Sequence, residues 1–325
     1  PPPPPPFPAA DGIRDHLLGL VGSEMCIRDR LVLGSIAAGG TLGILIPPSV
    51  NMIIYGALAN ASIGQLFAAG FVPGVLLMLL FMAMIALMAY LRPGLIGEPP
   101  ERRPLMVRLA NLRHLLAPAV IFLVVMGSIY LGWATPTEAA AVGVVMALAA
   151  AAIAGNLTLA LLHDAFRATV RTTAMIVLII TTAFFLNFVL GVLGVPQALT
   201  QAVTAFGTSA IVFIWLRVPM YFVLGCFLET IAMMVATVPI MLPLLAHFGI
   251  DPVWFGIFLV LMMELSLITP PVGKNLYVVQ GVRGGGPVTD VFVGVLPFIA
   301  ALLIMIVLVI VFPGIVMFVP QWLYG

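Results

Sequence analysis

Long apolar runs, rather than short alternations, dominate the hydrophobic pattern along this chain of 325 residues. A bilayer core of about 30 Å asks for roughly 20 apolar residues per helix. Residues 66–91, 115–133, 173–194 and 209–228 supply such runs, and 139–154 is a shorter one. Residues 291–319 form the last, with Pro297 and Pro313 inside or near its ends. Three more apolar stretches, 31–58, 230–247 and 254–281, carry Pro or Gly in the middle and read as broken. Segment 157–171 sets Leu157, Leu161, Leu162, Ala165 and Phe166 against His163, Asp164, Arg167 and Arg171. That pattern fits a helix lying on the inner membrane surface, and equally a plain connector helix.

Charge orients these runs. Residues 92–114 hold Arg92, Arg102, Arg103, Arg108 and Arg113, and residues 155–172 hold Arg167 and Arg171. Basic loops stay on the cytoplasmic side. Two spans separate these two, so both loops are expected inside. Residues 195–208, without Lys or Arg, are expected outside. Ala134-Thr135-Pro136-Thr137-Glu138 falls on the outer side or in a re-entrant turn, where Glu138 suits a helix start as a first-turn acid.

Composition agrees with the pattern. The chain is 63% hydrophobic and 8% charged, whereas a soluble domain carries roughly 25% charged residues. The result is an all-α polytopic membrane protein. A net charge of +1 gives no nucleic-acid footprint. Cys26 and Cys226 lie in no metal-ligand or redox spacing, and Cys226 reads as a small apolar residue. Residues 1–30, from PPPPPPFP to GSEMCIRDR, lack the order of a signal peptide and resemble a translated sequencing adapter. They are expected to make no ordered contact, which leaves 31–325 as the permease domain and its own N-terminal part missing.

Two segments repeat. Residues 45–56 and 268–281 both read apolar, Pro-Pro, small residues, Asn, an apolar run with Tyr, then Gly. Asn51 and Asn275, Gly70 and Gly294, and Pro73 and Pro297 share one offset. Matching Pro-interrupted segments point to a repeat-built transporter with its site at the breaks. Proline lacks an N–H and its ring blocks the bond to the carbonyl four residues back. Pro47 and Pro48 therefore free the carbonyls of Gly43 and Ile44, and Pro270 and Pro271 free those of Ser266 and Leu267. Such oxygens persist in hydrocarbon where protein, water or a cation meets them. Thr269 adds a hydroxyl, and Gly43 and Gly273 are expected to admit close backbone approach. The downstream half-helices turn their N–H groups toward an anion. Thr41, Ser49, Asn51, Lys274 and Asn275 are the substrate-binding candidates there. A simple proline kink is the plainer reading of one such pair; two with matching flanks favour a site.

Glu229, Glu264, Arg217 and Lys274 lie in apolar sequence, where a charge at the bilayer centre costs about 2.5–3.5 kcal/mol on insertion scales. Either carboxylate can bind a cation, carry a proton, or pair with Arg217 or Lys274. A structural pair is the plainer reading.

With these motifs in view, residues 31–325 resemble the large membrane subunit of a tripartite ATP-independent periplasmic (TRAP) transporter, the DctM-like family. GGTLGILIPPS at 39–49, ATPTEAAAVG at 134–143, TPPVGKNL at 269–276 and GVLPF at 294–298 carry the resemblance. It implies an inverted-repeat secondary transporter, an elevator of the ion-transporter type. Its two re-entrant helical hairpins are placed near 31–58 and 254–281. It also implies Na⁺ as coupling ion and no other cofactor, and uptake of an organic acid, with C4-dicarboxylates as one class. The implied partners are a periplasmic solute-binding protein and a small four-helix membrane subunit, in the lipid bilayer of a bacterial inner membrane. Glu264-Leu265-Ser266 departs from the family pattern before the second Pro-Pro. A binding-protein-independent Na⁺- or H⁺-coupled anion transporter and an ion channel are the alternatives. Neither HExxH nor GxSxG is present, which argues against an enzyme.

Overall fold

The structure is a computed structural model that describes residues 28–91, 105–205 and 209–324. The described residues form helices joined by short connections, with no strand among them. In chain order the first are α1 (Arg28–Gly39), α2 (Leu42–Leu45), α3 (Val50–Ala59), α4 (Ile63–Leu91), α5 (Leu105–Tyr130), α6 (Pro136–Ile153) and α7 (Leu159–Val192). They continue as α8 (Val195–Ala205), α9 (Ala210–Gly225), α10 (Thr230–Phe248), α11 (Pro252–Ile268), α12 (Lys274–Arg283), α13 (Thr289–Val311) and α14 (Gly314–Tyr324). Five of them are long and apolar enough to cross a membrane, or six when the bent pair on either side of Pro47-Pro48 is taken as one span.

One helix organises the rest. Every residue of α11 from Val253 to Ser266 is buried, as a helix apolar on all sides should be. It packs against α2, α3, α4, α9, α10, α12, α13 and α14. Its start is fixed by Asp251, whose carboxylate accepts from the N–H groups of Val253 (2.7 Å) and Trp254 (3.2 Å), with Pro252 as first helical residue. Its end is fixed by Pro270, which drives Thr269 into extended backbone. Helices α5 and α6 pair with each other. A capping box opens α6: Thr135 N–H donates to Glu138 at 2.8 Å, and Glu138 N–H donates back to the Thr135 hydroxyl. Glu138 is thus a first-turn acid, as its sequence context suggests. Phe184, Phe185 and Phe188 on α7 are exposed, a normal surface where hydrocarbon is the solvent.

Several boundaries differ from those the pattern predicts. Segment 157–171 and span 173–194 form one helix, α7, of 34 residues. At 1.5 Å per residue it is about 50 Å long, so it spans an apolar core with its polar first turns projecting beyond. Stretch 230–247 is unbroken: Pro239, half-buried, and Pro243, exposed, lie inside α10, which packs against α3, α7, α8, α9 and α11. The run 291–319 divides at Pro313 into α13 and α14. Most of the lysine- and arginine-free connection 195–208 is helix α8. Of the arginine-rich loop, residues 92–104 lie outside the described residues.

The expectation that residues 1–30 make no ordered contact fails at its end. Residues 28–30 belong to α1, and Arg30 pairs with buried Asp290 at 2.8 Å. The close crossing of α1 and α13 draws this turn in: a Cβ on Gly294 would sit 1.8 Å from the Arg30 carbonyl oxygen, and one on Gly34 would sit 2.0 Å from that of Gly294. Two side-chain-free backbones meet there. Residues 1–27 lie outside the described residues.

A candidate translocation site at two broken helices

The first break runs from Thr41 to Ser49. Ile46 and Ser49 take extended backbone around a cis Pro47-Pro48 bond, and the helices on either side meet at 41°. The Ile46 N–H returns to the Leu42 carbonyl at 2.8 Å, and among the described residues nothing donates to the carbonyls of Gly43 or Ile44. The break is seated on α4. A Cβ on Gly70 would meet the Leu45 carbonyl oxygen at 2.7 Å, and one on Gly74 would meet the Ile46 side chain at 2.7 Å. Thr41, Leu45, Pro47, Ser49 and Asn51 are buried, while Pro48 is exposed. The Thr41 hydroxyl donates to the Ala38 carbonyl at 2.8 Å. Gly43 does not serve close backbone approach: a Cβ there would meet nothing within 4 Å, because α2 turns that edge outward.

The second break runs from Ser266 to Lys274, again around a cis bond, Pro270-Pro271. Here the glycine does what the sequence implies. A Cβ on Gly273 would lie 2.9 Å from the Thr269 carbonyl oxygen and 3.0 Å from that of Leu267, so two oxygens converge on its bare face. The Leu267 carbonyl receives no hydrogen bond among the described residues. The Ser266 carbonyl is not free, however: the Thr269 N–H swings back to it at 3.4 Å as the helix ends. The hydroxyls of Ser266 and Thr269 donate to the carbonyls of Met263 and Leu265. Donating leaves each oxygen's lone pairs to face another partner. Pro271 is exposed, and its carbonyl accepts from Tyr277 at 2.8 Å.

A third element completes this end, and the sequence gives little sign of it. Helices α9 and α10 lie side by side as an antiparallel hairpin. Phe213 stacks on Phe248 at 4.7 Å, and Tyr221 donates to the Thr237 hydroxyl at 3.1 Å. Its tip, Cys226 to Glu229, sits on the second break. A Cβ on Gly225 would lie 2.3 Å from that of Ser266, and the Cys226 thiol points at the Pro270 carbonyl at 3.9 Å. Glu229 caps α10 by accepting from the Ile231 N–H at 3.2 Å and pairs with Lys274 at 3.0 Å. Of the four intramembrane charges, these two are therefore partners. Arg217 instead covers the Phe213 ring at 4.3 Å and donates to the Met220 sulfur.

The helix that leaves the second break touches the helix that leads into the first, more than 220 residues away in sequence. Asn275 at the start of α12 donates to the Ala37 carbonyl near the end of α1 at 3.2 Å. A Cβ on Gly40 would lie 3.5 Å from the same amide nitrogen. Donation through nitrogen leaves the Asn275 carbonyl oxygen free. Glu264 lies between the breaks. Its side chain is fully buried and faces the backbone of Leu45, yet neither carboxyl oxygen has a hydrogen-bond partner among the described residues. Among the described residues no group of three His, Cys, Asp or Glu could hold a metal ion. Any small cation here would be met by backbone carbonyls and hydroxyls.

Apolar helices of spanning length, with two helices broken at Pro-Pro, define a polytopic membrane protein. The family model described as the DctM component of tripartite ATP-independent periplasmic transporters matches residues 29–315. The C4-dicarboxylate TRAP transporter large permease protein DctM of Pseudomonas aeruginosa is 36% identical over 291 residues, which cover 89% of this chain and 67% of that protein. The sialic acid TRAP transporter large permease protein SiaM of Vibrio cholerae is 33% identical, over 91% of this chain and 69% of its own length. An ectoine/5-hydroxyectoine large permease of Ruegeria pomeroyi is 32% identical, over 90% and 67%. The isethionate permease protein DctMQ of Oleidesulfovibrio alaskensis is 33% identical over 87% of this chain, which spans 44% of that longer protein. The chain belongs to the DctM family, as a large permease component of TRAP transporters. It is a transport protein and not an enzyme.

Proposed function

We propose that this chain carries a small organic anion inward across a bacterial inner membrane, driven by a Na⁺ gradient. A periplasmic solute-binding protein delivers the solute, and a small four-helix membrane subunit completes the complex. The isethionate relative supports the last point, since a chain more than twice as long as the matched part has room for a second membrane subunit. The four solutes named for the relatives differ in size, but each carries a carboxylate or a sulfonate. A negatively charged acidic group is therefore the shared chemistry.

The observation that carries this reading is the contact of the helices that flank the two breaks, Asn275 on Ala37, beside carbonyls converging on Gly273. Free helix-terminal carbonyls suit Na⁺, and the N–H groups that open α12 suit an anion. Cation and anion sites side by side are what coupled movement needs. On this reading the broken pairs act as re-entrant elements of an elevator.

The test is uptake into proteoliposomes holding this chain with its small subunit, with the binding protein outside. Labelled succinate, sialic acid, isethionate and ectoine are the probes. An inward Na⁺ gradient is expected to drive saturable uptake of one of them, and omission of the binding protein to abolish it. Uptake indifferent to Na⁺ overturns the coupling. Saturable uptake without the binding protein, or unsaturable flux, favours the alternatives.

A further inference from the structure

The Glu229–Lys274 pair does not behave like a buried structural bridge. Both side chains are partly exposed, and they line an open cleft between the α9–α10 tip and the second break, with Ser266, Thr230 and Val272. The Lys274 ammonium has three donors and meets one partner, Glu229. It is also the first residue of α12. The N–H groups of Lys274 and Asn275 reach no acceptor among the described residues, and the N-cap, Gly273, has no side chain to cover them. A cation and a positive helix end with two unbound amides thus stand at the start of one helix, and a carboxylate from the chain's own tip occupies the cation. Phe227 and Leu228 wall the cleft with apolar surface, which strengthens charge pairing there.

From this geometry we propose that Lys274 is the anchor for the substrate's acidic group, and that Glu229 is its internal surrogate. An incoming carboxylate or sulfonate displaces the Glu229 carboxylate from Lys274 and takes the α12 amides as well, which Glu229, committed to capping α10, does not reach. Displacement releases the tip from the second break, so anion entry and movement of the α9–α10 tip are one event. A neutral solute of the same shape cannot make the exchange. Lys274 therefore sets specificity for acids, and Glu229 sets how much affinity an acid needs to enter.

This inference rests on the transporter reading, and its test separates the two. The purified chain is melted in detergent with succinate, isethionate or sialic acid as probe, since a ligand of the folded state raises the melting temperature. One of these anions is expected to stabilise the wild type. Lys274→Gln should lose that response, Lys274→Arg should keep it, and Glu229→Gln should bind the same anion about tenfold more tightly. The decisive variant is the charge swap Glu229→Lys with Lys274→Glu. It restores the ion pair, so a merely structural role predicts a restored anion response, whereas the anchor role predicts none. An unchanged response in Lys274→Gln, full restoration by the swap, or no anion response in the wild type overturns the proposal. Na⁺-driven uptake by Lys274→Gln with unchanged KM defeats the anchor and leaves the transporter reading standing. Absence of Na⁺-driven uptake by the wild type defeats that reading itself.

Discussion

The two Pro-Pro segments share a sequence pattern and live in different surroundings. The first is wedged into the protein, its Leu45 carbonyl pressed on Gly70 and its Ile46 side chain on Gly74 of α4, with Thr41, Ser49 and Asn51 buried around it. The second opens on a cleft, covered by a hairpin tip and bridged by an ion pair. The glycines make the same contrast. Gly43 faces open space, whereas Gly273 lies between two carbonyl oxygens. A repeated motif thus fixes where a helix stops, and its neighbours decide what the freed groups meet.

The largest effect should come from filling the second break. Gly273→Val places carbon against oxygens that a bare Cβ would already meet at 2.9 and 3.0 Å. It should cut Na⁺-driven uptake roughly a hundredfold, the scale of a misplaced site, with membrane insertion intact. Gly43→Ala, its counterpart in the first break, should change stability by less than about 0.5 kcal/mol and uptake hardly at all. Equal damage from both would erase the contrast. Gly225→Val tests the cover: its Cβ would lie 2.3 Å from that of Ser266, so the tip must lift and uptake should fall with it.

Glu264 gives the next largest effect. A fully buried carboxyl without a partner costs about 1–3 kcal/mol. Glu264→Met should therefore raise the stability of the purified chain by an amount in that range, read from its unfolding curve. A loss of stability would show that the carboxyl has a partner. The smallest effect belongs to the hairpin. Tyr221→Phe removes the hydrogen bond to Thr237 between α9 and α10 and should cost about 0.6 kcal/mol, the usual scale between membrane helices. Combining it with Thr237→Val should add little more, because both remove one interaction.

Much of this was legible because proline acts locally. Pro47-Pro48 and Pro270-Pro271 stop their helices where the ring chemistry requires, whatever surrounds them. Pro239 and Pro243 carry the same local signal, yet α10 runs through both, packed on neighbouring helices at its other residues. The two arms of the α9–α10 hairpin were legible as separate runs, but the seat of its tip on the second break was not. That tip, Cys226-Phe227-Leu228, is as apolar as the arms and holds no turn residue after Gly225. Glu229 was readable as a charge but not as a cap, and its partner Lys274 was one of two possible cations. Gly43 matched the expected pattern and met nothing, since which side of a short helix faces open space depends on packing that lies outside the segment. The turn at Arg30 was misjudged because the composition of residues 1–30 says nothing of the Gly34–Gly294 crossing that draws it in.

The central claim is that the two breaks form one site, and a cross-link tests it most directly. A Cβ on Gly40 would lie 3.5 Å from the Asn275 amide nitrogen, so Gly40→Cys and Asn275→Cys place two thiols at facing positions. In a background with Cys26→Ser and Cys226→Ser, mild oxidation of membranes should link this pair within one chain. Uptake in the assembled transporter should stop and return on reduction. No cross-link under conditions that oxidise a control pair on adjacent helices would place the breaks apart and contradict the account.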